Sequence, residues 1–468
     1  MAFSIKKFIG DKKFYRTVLG VSVPVMIQNG ITNFVSLLDN IMVGTLGTEQ
    51  MSGVSIVNQF VFIFNLLIFG AVSAAGIFTA QYYGNKDNEG IRYTFRFKII
   101  ICTLATLIGG AAFFFYDEFF IGLFLKGEGD VGNIAATMAF GKQYLIIMLV
   151  GLLPYAIAQV YASTMRETGD TFTPMLASLA AVGTNFVLNG LLIFGLFGLP
   201  ALGVRGAAIA TVASRFVEFF ILVIYSHAKK LRFPYLTGAY RSLRIPRGLT
   251  ARIAIKGLPL MINEFLWAIA IMLRNQCYST RGLDVVAAQN IQSTLFNVFN
   301  VVYLSLGSSI AIIVGRQLGA GEEEAARDSA RKMQTFSVAC SVLMAGLFAI
   351  SGFIFPLVYN TSSSIRSLAT FLMLISALNM PFNAFAHAAY FTLRSGGKVA
   401  VTFIFDCVYM WVVIMPVSFA IAYLTSWPIH VMYPLCQATE ILKAFFGLFC
   451  LVRTNWAKQI VADEALKA

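Results

Sequence analysis

The chain has 468 residues, 58% of them apolar and only 12% charged, with a formal net charge of +13. Soluble domains carry about 25% charged residues, so this composition excludes an ordinary soluble enzyme or a solvated scaffold. Apolar stretches recur from end to end, each matching the roughly 20 residues that cross about 30 Å of hydrocarbon.

Lipid admits only helices or closed barrels. Segments such as Leu145 to Ile157 lack the alternating polarity of a barrel strand, so the chain reads as an all-α polytopic membrane protein. It begins with Lys6, Lys7, Lys12, Lys13 and Arg16 ahead of the first apolar run, with no cleavable signal pattern. Hydropathy and breakers predict twelve spans, at about 15–42, 51–83, 93–116, 134–163, 171–195, 203–226, 250–278, 284–318, 328–350, 364–393, 399–424 and 428–452. Short turns at 84–89, 166–170, 319–324 and 394–398 fall on one side.

Charge sorts by side. Lys229, Lys230, Arg232, Arg241, Arg244, Arg247, Arg252 and Lys256 crowd the central connection, which holds no acid; Glu49, Asp117, Glu118, Glu128 and Asp130 occupy the opposite loops. The positive-inside rule places both termini and the central connection in the cytoplasm of a cell membrane. A basic patch for RNA is the competing reading, but topology accounts for the charge and no nucleic-acid partner is expected. The six cysteines stand singly in apolar runs, without metal or disulfide spacing, and read as packing residues.

The two halves repeat. Pro24 falls on Pro259, Asn40 on Asn275, Gly47 on Gly282, Asn65 on Asn300, Ser73 on Ser308, Gly84 on Gly319, Arg92 on Arg327 and Arg96 on Arg331, all at one shift of 235. Further along, Arg166 and Gly169 fall on Arg394 and Gly397 at a shift of 228. Six spans per half start both halves on the same side, so the predicted architecture is two six-helix bundles related by a pseudo-two-fold along the membrane normal. The expected division is 1–228 for the first lobe, 229–249 for a basic linker and 250–468 for the second lobe.

Ionisable groups inside spans cost about 2.5–3.5 kcal/mol at a helix centre on insertion scales, so each needs a reason. Asn29, Asn33, Ser36 and Asn40 form a polar stripe on span 1, with Asp39 one step round from it. Asn185 and Asn189 share a face of span 5, and Thr211 lies in span 6. One carboxylate with amide and hydroxyl oxygens makes a hard-oxygen set suited to Na⁺, or to a proton on Asp39 itself. An interhelical hydrogen-bond cluster is the plainer reading of the same residues. In the second half Asp39 becomes Arg274, and the acids are Glu264 in span 7 and Asp406 in span 11. Glu264 reads as a site for a cationic substrate, a proton carrier, or a partner of a base such as Arg274. Asp406 and His387 are further candidates for substrate or proton work, His387 also reading as a packing residue. Glu218, Glu440 and Lys443 read as snorkelling groups near helix ends, and Pro24 and Pro259 as bends in spans 1 and 7.

LLDNIMVGTLG at 37–47, MRETGDTFTPM at 165–175, NFVLNGLLIFG at 185–195, GVRGAAIATVASR at 203–215 and RNQCYSTRGLDVVAAQNI at 274–291 together resemble the multidrug and toxic compound extrusion (MATE) family of cation-coupled exporters. The resemblance runs from Val21 to about Val452. It implies two six-helix bundles forming a cleft that opens alternately to either side, and a chain that works as a monomer. It further implies that Asp39, Asn185, Asn189 and Thr211 surround the coupling cation, and that Glu264 matches a span-7 acid of some members, though others place it deeper. The span-10 Asp of certain members has no counterpart, since 379–390 offers only His387.

The expected function is secondary antiport, exporting amphipathic, often cationic organic compounds in exchange for Na⁺ or H⁺, with no other cofactor. No phosphate-binding loop is present to supply ATP energy. A flippase for a lipid-linked precursor, from the same superfamily, is the alternative; it calls for a strongly cationic cleft, and the spans hold few bases beyond Arg215 and Arg274. A membrane enzyme needs a His/Asp or paired-acid constellation, which the scattered His227, His387 and His430 do not suggest.

Overall fold

The computed structural model describes residues 7–122, 131–198, 200–359 and 361–461; Glu128 and Asp130 lie outside them. Every predicted span is helical. In chain order the helices are α1 (Lys12–Gly44), α2 (Thr48–Gly84), α3 (Asn88–Phe115), the short α4 (Asp117–Gly122), α5 (Val131–Val150), α6 (Leu152–Glu167), α7 (Phe172–Phe194) and α8 (Val204–Ala228). There follow α9 (Arg247–Ser279), α10 (Leu283–Phe299), α11 (Val301–Gly319), α12 (Glu323–Ser351), α13 (Ser363–Ser395), α14 (Val399–Phe403), α15 (Met415–Leu424) and α16 (Ile429–Arg453). Ten of the described helical segments are long and apolar enough to cross a membrane, and α5 with α6 makes one more, bent by 46°.

The bends have local causes. Between α5 and α6 the chain turns at Gly151, and Pro154 follows in the next turn, where its missing N–H interrupts the ladder. A Cβ at Gly151 would lie 3.1 Å from Cδ of Arg215, so the glycine also makes room for that side chain. Span 8 breaks at Asn300, between α10 and α11. Span 11 is wound as two π turns, 404–408 and 410–414, between α14 and α15. Pro24 and Pro259 lie inside α1 and α9, each a continuous helix. Gly47 and Gly282, equivalent at the 235 shift, have φ of 137° and 114°. The repeat therefore extends to backbone geometry that disfavours a Cβ.

The described residues separate into two compact units. A C-terminal unit takes 258–461 together with 7–26 and 80–86; an N-terminal unit takes 27–79 and 87–257. The core of the N-terminal unit joins Val43, Val57, Phe60, Leu145, Ile193 and Ala208. Its α7 and α8 touch through Gly206, where a Cβ would come within 2.4 Å of the Leu192 carbonyl oxygen. Small residues let membrane helices approach this closely. The basic connection after α8 docks in the same unit. Arg96 of α3 donates to the carbonyls of Ala239, Gly238 and Arg244 at 2.8, 2.9 and 3.0 Å, and Arg92 to that of Tyr235 at 3.3 Å. In the C-terminal unit Leu306, Ile310 and Val314 of α11 pack on Met333, Ala388 and Leu393. The end of α2 is pinned there by Gln81, which donates to the Ser395 carbonyl at 3.0 Å and accepts from the Ile460 N–H at 2.7 Å.

Gly206→Ala should destabilise the protein by about 1–3 kcal/mol through overpacking. Gly183→Ala, whose Cβ meets nothing within 4 Å, should be neutral or slightly stabilising. Thermal unfolding of both variants in the same detergent, read against wild type, checks the pair.

Candidate functional site

Four of the predicted residues come together in the N-terminal unit. Asp39 sits near the end of α1, Asn185 and Asn189 one turn apart on α7, and Thr211 on α8. Asn189 Nδ2 donates to Asp39 Oδ1 at 2.5 Å and to Asn185 Oδ1 at 3.2 Å, while Asn185 Nδ2 reaches Thr211 Oγ1 at 3.3 Å. Both asparagines are buried, with 5% and 1% of their surface exposed. Of the span-1 stripe, Ser36 and Asn40 have side chains outside the described ones.

The donor set tests whether a cation suits this place. The second terminal atom of the Asn185 amide lies 2.9 and 3.1 Å from the two Asp39 oxygens. Turned one way, the amide nitrogen donates to the carboxylate; turned the other, an amide oxygen faces it. The second arrangement is favourable only with a proton or cation between the oxygens. Asn189 Oδ1 is buried without a hydrogen-bond partner, and buried acceptors are rarely left so. A carboxylate, two amide oxygens and a hydroxyl fit a small hard cation, and equally a proton on Asp39.

A second polar cluster lies at other positions in the same unit. Glu218, expected near a helix end, stands in the middle of α8 and is buried. Ser178 donates to it at 2.6 Å, Gln28 donates to Ser178 at 2.7 Å, and Arg166 donates to Gln28 at 3.3 Å. Arg215 lies over the Tyr155 ring at 5.1 Å. Lys98, wholly buried on α3, pairs with Glu167 at 2.5 Å and also donates to Ser163 and Thr164. Lys98 was legible in principle, as a base within an apolar span; its partner, 69 positions away, was not.

The C-terminal unit gathers the other candidates differently. Asp406, in the π-wound stretch, accepts from Lys443 Nζ at 2.6 Å and from Asn263 Nδ2 at 2.8 Å. Glu264 accepts from the Tyr390 hydroxyl at 3.1 Å, which Arg394 approaches at 3.5 Å. His387 stacks on Tyr390 and lies edge-on to Phe391, against the gap at Gly307. Two expectations change. Arg274 pairs with Glu440 at 2.7 Å and not with Glu264. Glu440 and Lys443 lie mid-helix on α16 as members of buried ion pairs, too deep for snorkelling. Sequence spacing missed both pairs because their members stand 166 and 37 positions apart.

The sequence model of the MatE family matches residues 24–191 and 259–420. The chain is 24% identical over 409 residues to a probable multidrug resistance protein NorM of Thermotoga maritima, covering 86% of this chain and 85% of that one. It is 23% identical over 454 residues to a probable multidrug resistance protein YoeA of Bacillus subtilis, covering 93% of each. Among solved structures it is similar to a mutant of the Vibrio cholerae MATE transporter VcmN, with a TM-score of 0.85 at 17% identity over 95% of this chain and 98% of that one. A MOP-superfamily transporter from Pyrococcus furiosus gives 0.82 at 18%, over 96% and 97%. These likenesses show the fold: twelve transmembrane helices in two lobes.

The Asp406–Lys443 pair allows a direct test of what holds the C-terminal unit. Asp406→Asn leaves the Lys443 ammonium without its carboxylate and should cost about 3–5 kcal/mol, whereas Asp406→Asn with Lys443→Met should recover most of that loss. Denaturation midpoints of the single and double variants read the difference.

Proposed function

The chain belongs to the MATE family of membrane transporters, and from that premise we propose that it is a multidrug exporter working by secondary antiport. Amphipathic, often cationic organic compounds leave the cell, and Na⁺ or H⁺ moves inward in exchange. The observation that carries this reading is the carboxylate of Asp39 on α1, the first predicted span, held against Asn189 and facing Asn185. The relatives described as probable multidrug resistance proteins support the drug side of the exchange.

Asp39 supplies the negative charge. Without an ion, the Asn185 and Asn189 amide groups donate to it and keep the carboxylate satisfied. With a cation or proton present, the Asn185 amide turns, and its oxygen joins those of Asp39 and Thr211. The switch exchanges donors for acceptors without moving a helix backbone, so that oxygens from α1, α7 and α8 face one positive charge. Exchange follows when ion and substrate favour different arrangements of the unit; affinity alone, without that difference, drives nothing. Glu264, which accepts from the Tyr390 hydroxyl, is the acid of the C-terminal unit best placed to meet a cationic substrate or a proton. Asp406 is neutralised by Lys443 and positions Asn263, while His387 packs the wall beside Tyr390. The transporter sits in the cell membrane with both termini cytoplasmic and acts as a monomer.

Asp39→Asn should lower gradient-driven efflux of a fluorescent organic cation by about tenfold or more, about 1.4 kcal/mol of lost coupling. Proteoliposomes given a Na⁺ gradient alone, then a pH gradient alone, identify the driving ion. Undiminished gradient-dependent export by Asp39→Asn would remove Asp39 from this role. Asn189→Ala should instead raise the ion concentration for half-maximal efflux while leaving the maximal rate within a few-fold, as expected for a neutral ligand to the ion.

A further inference from the structure

The 235 shift carries Leu38, Asp39 and Asn40 onto Leu273, Arg274 and Asn275, so the flanking residues are kept and the charge is reversed. The 228 shift carries Ala210 and Thr211 onto Ala438 and Thr439, and Glu440 comes next. In the C-terminal unit Arg274 NH1 donates to Glu440 Oε1 at 2.7 Å, with only 16% and 13% of the two side chains exposed. The ingredients of the Asp39 site thus reappear with changed places: the positive group is on the first helix of the half, and the carboxylate is on the last, beside the counterpart of Thr211.

The remaining ligands are missing. The stretch 410–420, which corresponds to the part of α7 that carries Asn185 and Asn189, contains no Asn, Gln, Asp or Glu. A small metal cation would find there one carboxylate and none of the amide oxygens that Asn185 and Asn189 supply in the first half. The surroundings are aromatic instead: Tyr278 and Tyr433 pack at 5.2 Å beside the pair. Planar guanidinium suits aromatic walls and a carboxylate together, since it is weakly hydrated and stacks on rings. Arg274 Nε and the Tyr278 hydroxyl are both buried without a hydrogen-bond partner, so the pocket holds the cation by charge and shape more than by a full set of donors.

We infer that the C-terminal unit retains the duplicated ion site in a permanently loaded form, with the Arg274 guanidinium as a tethered cation on Glu440. The consequence for binding is that removing the tether exposes a site for a flat, monovalent guanidinium-type cation. The consequence for transport, which rests on the ion-site reading of Asp39, is that a single free ion per chain drives the cycle, because the second site never empties.

The test uses the full chain in lipid nanodiscs, titrated calorimetrically with guanidinium chloride at low millimolar concentration. Arg274→Ala should bind guanidinium at one site. Wild type and Arg274→Lys, which keep a tethered cation, should not, and Arg274→Ala with Glu440→Gln should lose the site again. In proteoliposomes wild type should move one driving ion per ethidium exported, and a ratio of two would overturn the inference. A structural ion pair alone would lower the amount of folded Arg274→Ala and open no guanidinium site. Equal guanidinium binding by Arg274→Ala and its Glu440→Gln double variant, or no binding by a folded Arg274→Ala, would also overturn it. Failure of wild type to export ethidium under any ion gradient would instead count against antiport, while calorimetry would still decide whether Arg274 fills a cation site.

Discussion

A charge inside a lipid-spanning helix must bring its own compensation, because hydrocarbon supplies none and an unpaired buried ion costs several kcal/mol. This protein obeys that constraint in two ways. Lys98 with Glu167, Lys443 with Asp406 and Arg274 with Glu440 are closed pairs, at 2.5, 2.6 and 2.7 Å. Among the described residues, Asp39 is met by amides. A carboxylate satisfied only by neutral groups that can reverse their polarity can accept and release a positive charge. One already joined to a lysine or arginine holds a charge in place. The contrast separates the groups that can work from the groups that brace.

Duplication gave each half the same starting set, and the halves have since spent it differently. In the N-terminal unit the amide of Gln28 leads through Ser178 to Glu218. In the C-terminal unit the residue at Gln28's equivalent, Asn263, donates to Asp406, which lies 228 positions beyond Ser178 and is joined to Lys443. Each path runs from the first helix to the last, but it ends on the acid Glu218 in one unit and on the base Lys443, the 228-shift counterpart of Arg215, in the other. A reversal of sign at one equivalent position separates Asp39 from Arg274. The repeated pattern therefore carries Asp39, met by amides, in one unit, and Asp406 and Glu440, each joined to a base, in the other.

The spans themselves were legible because hydrophobic length is a local property: each predicted segment coincides with a helix or a broken pair of helices. The breaks were less so. Gly151 with Pro154 is a recognisable local signal, whereas the break at Asn300 and the π turns at 404–414 have none that spacing reveals. Of the candidate-site residues, Asn185 and Asn189 were readable as one face from their four-residue interval. That Asp39 meets them is a fact of packing across helices 150 positions apart. Glu218, Glu440 and Lys443 were misplaced for the same reason. A lone charge in an apolar sequence looks alike whether it reaches the headgroups or a partner, until the neighbouring helix is known.

Sequence by itself determined that this chain lives in a membrane, crosses it as helices, and is built from two copies of one pattern. Those properties follow from the free energy of transferring residues into lipid and from register along the chain, both of which are local or periodic. Only the tertiary structure decided which buried charges are paired and which acid is left to amides. That outcome depends on which helix faces are apposed, and ångström-scale distances between residues far apart in sequence set whether a charge is held or free to exchange.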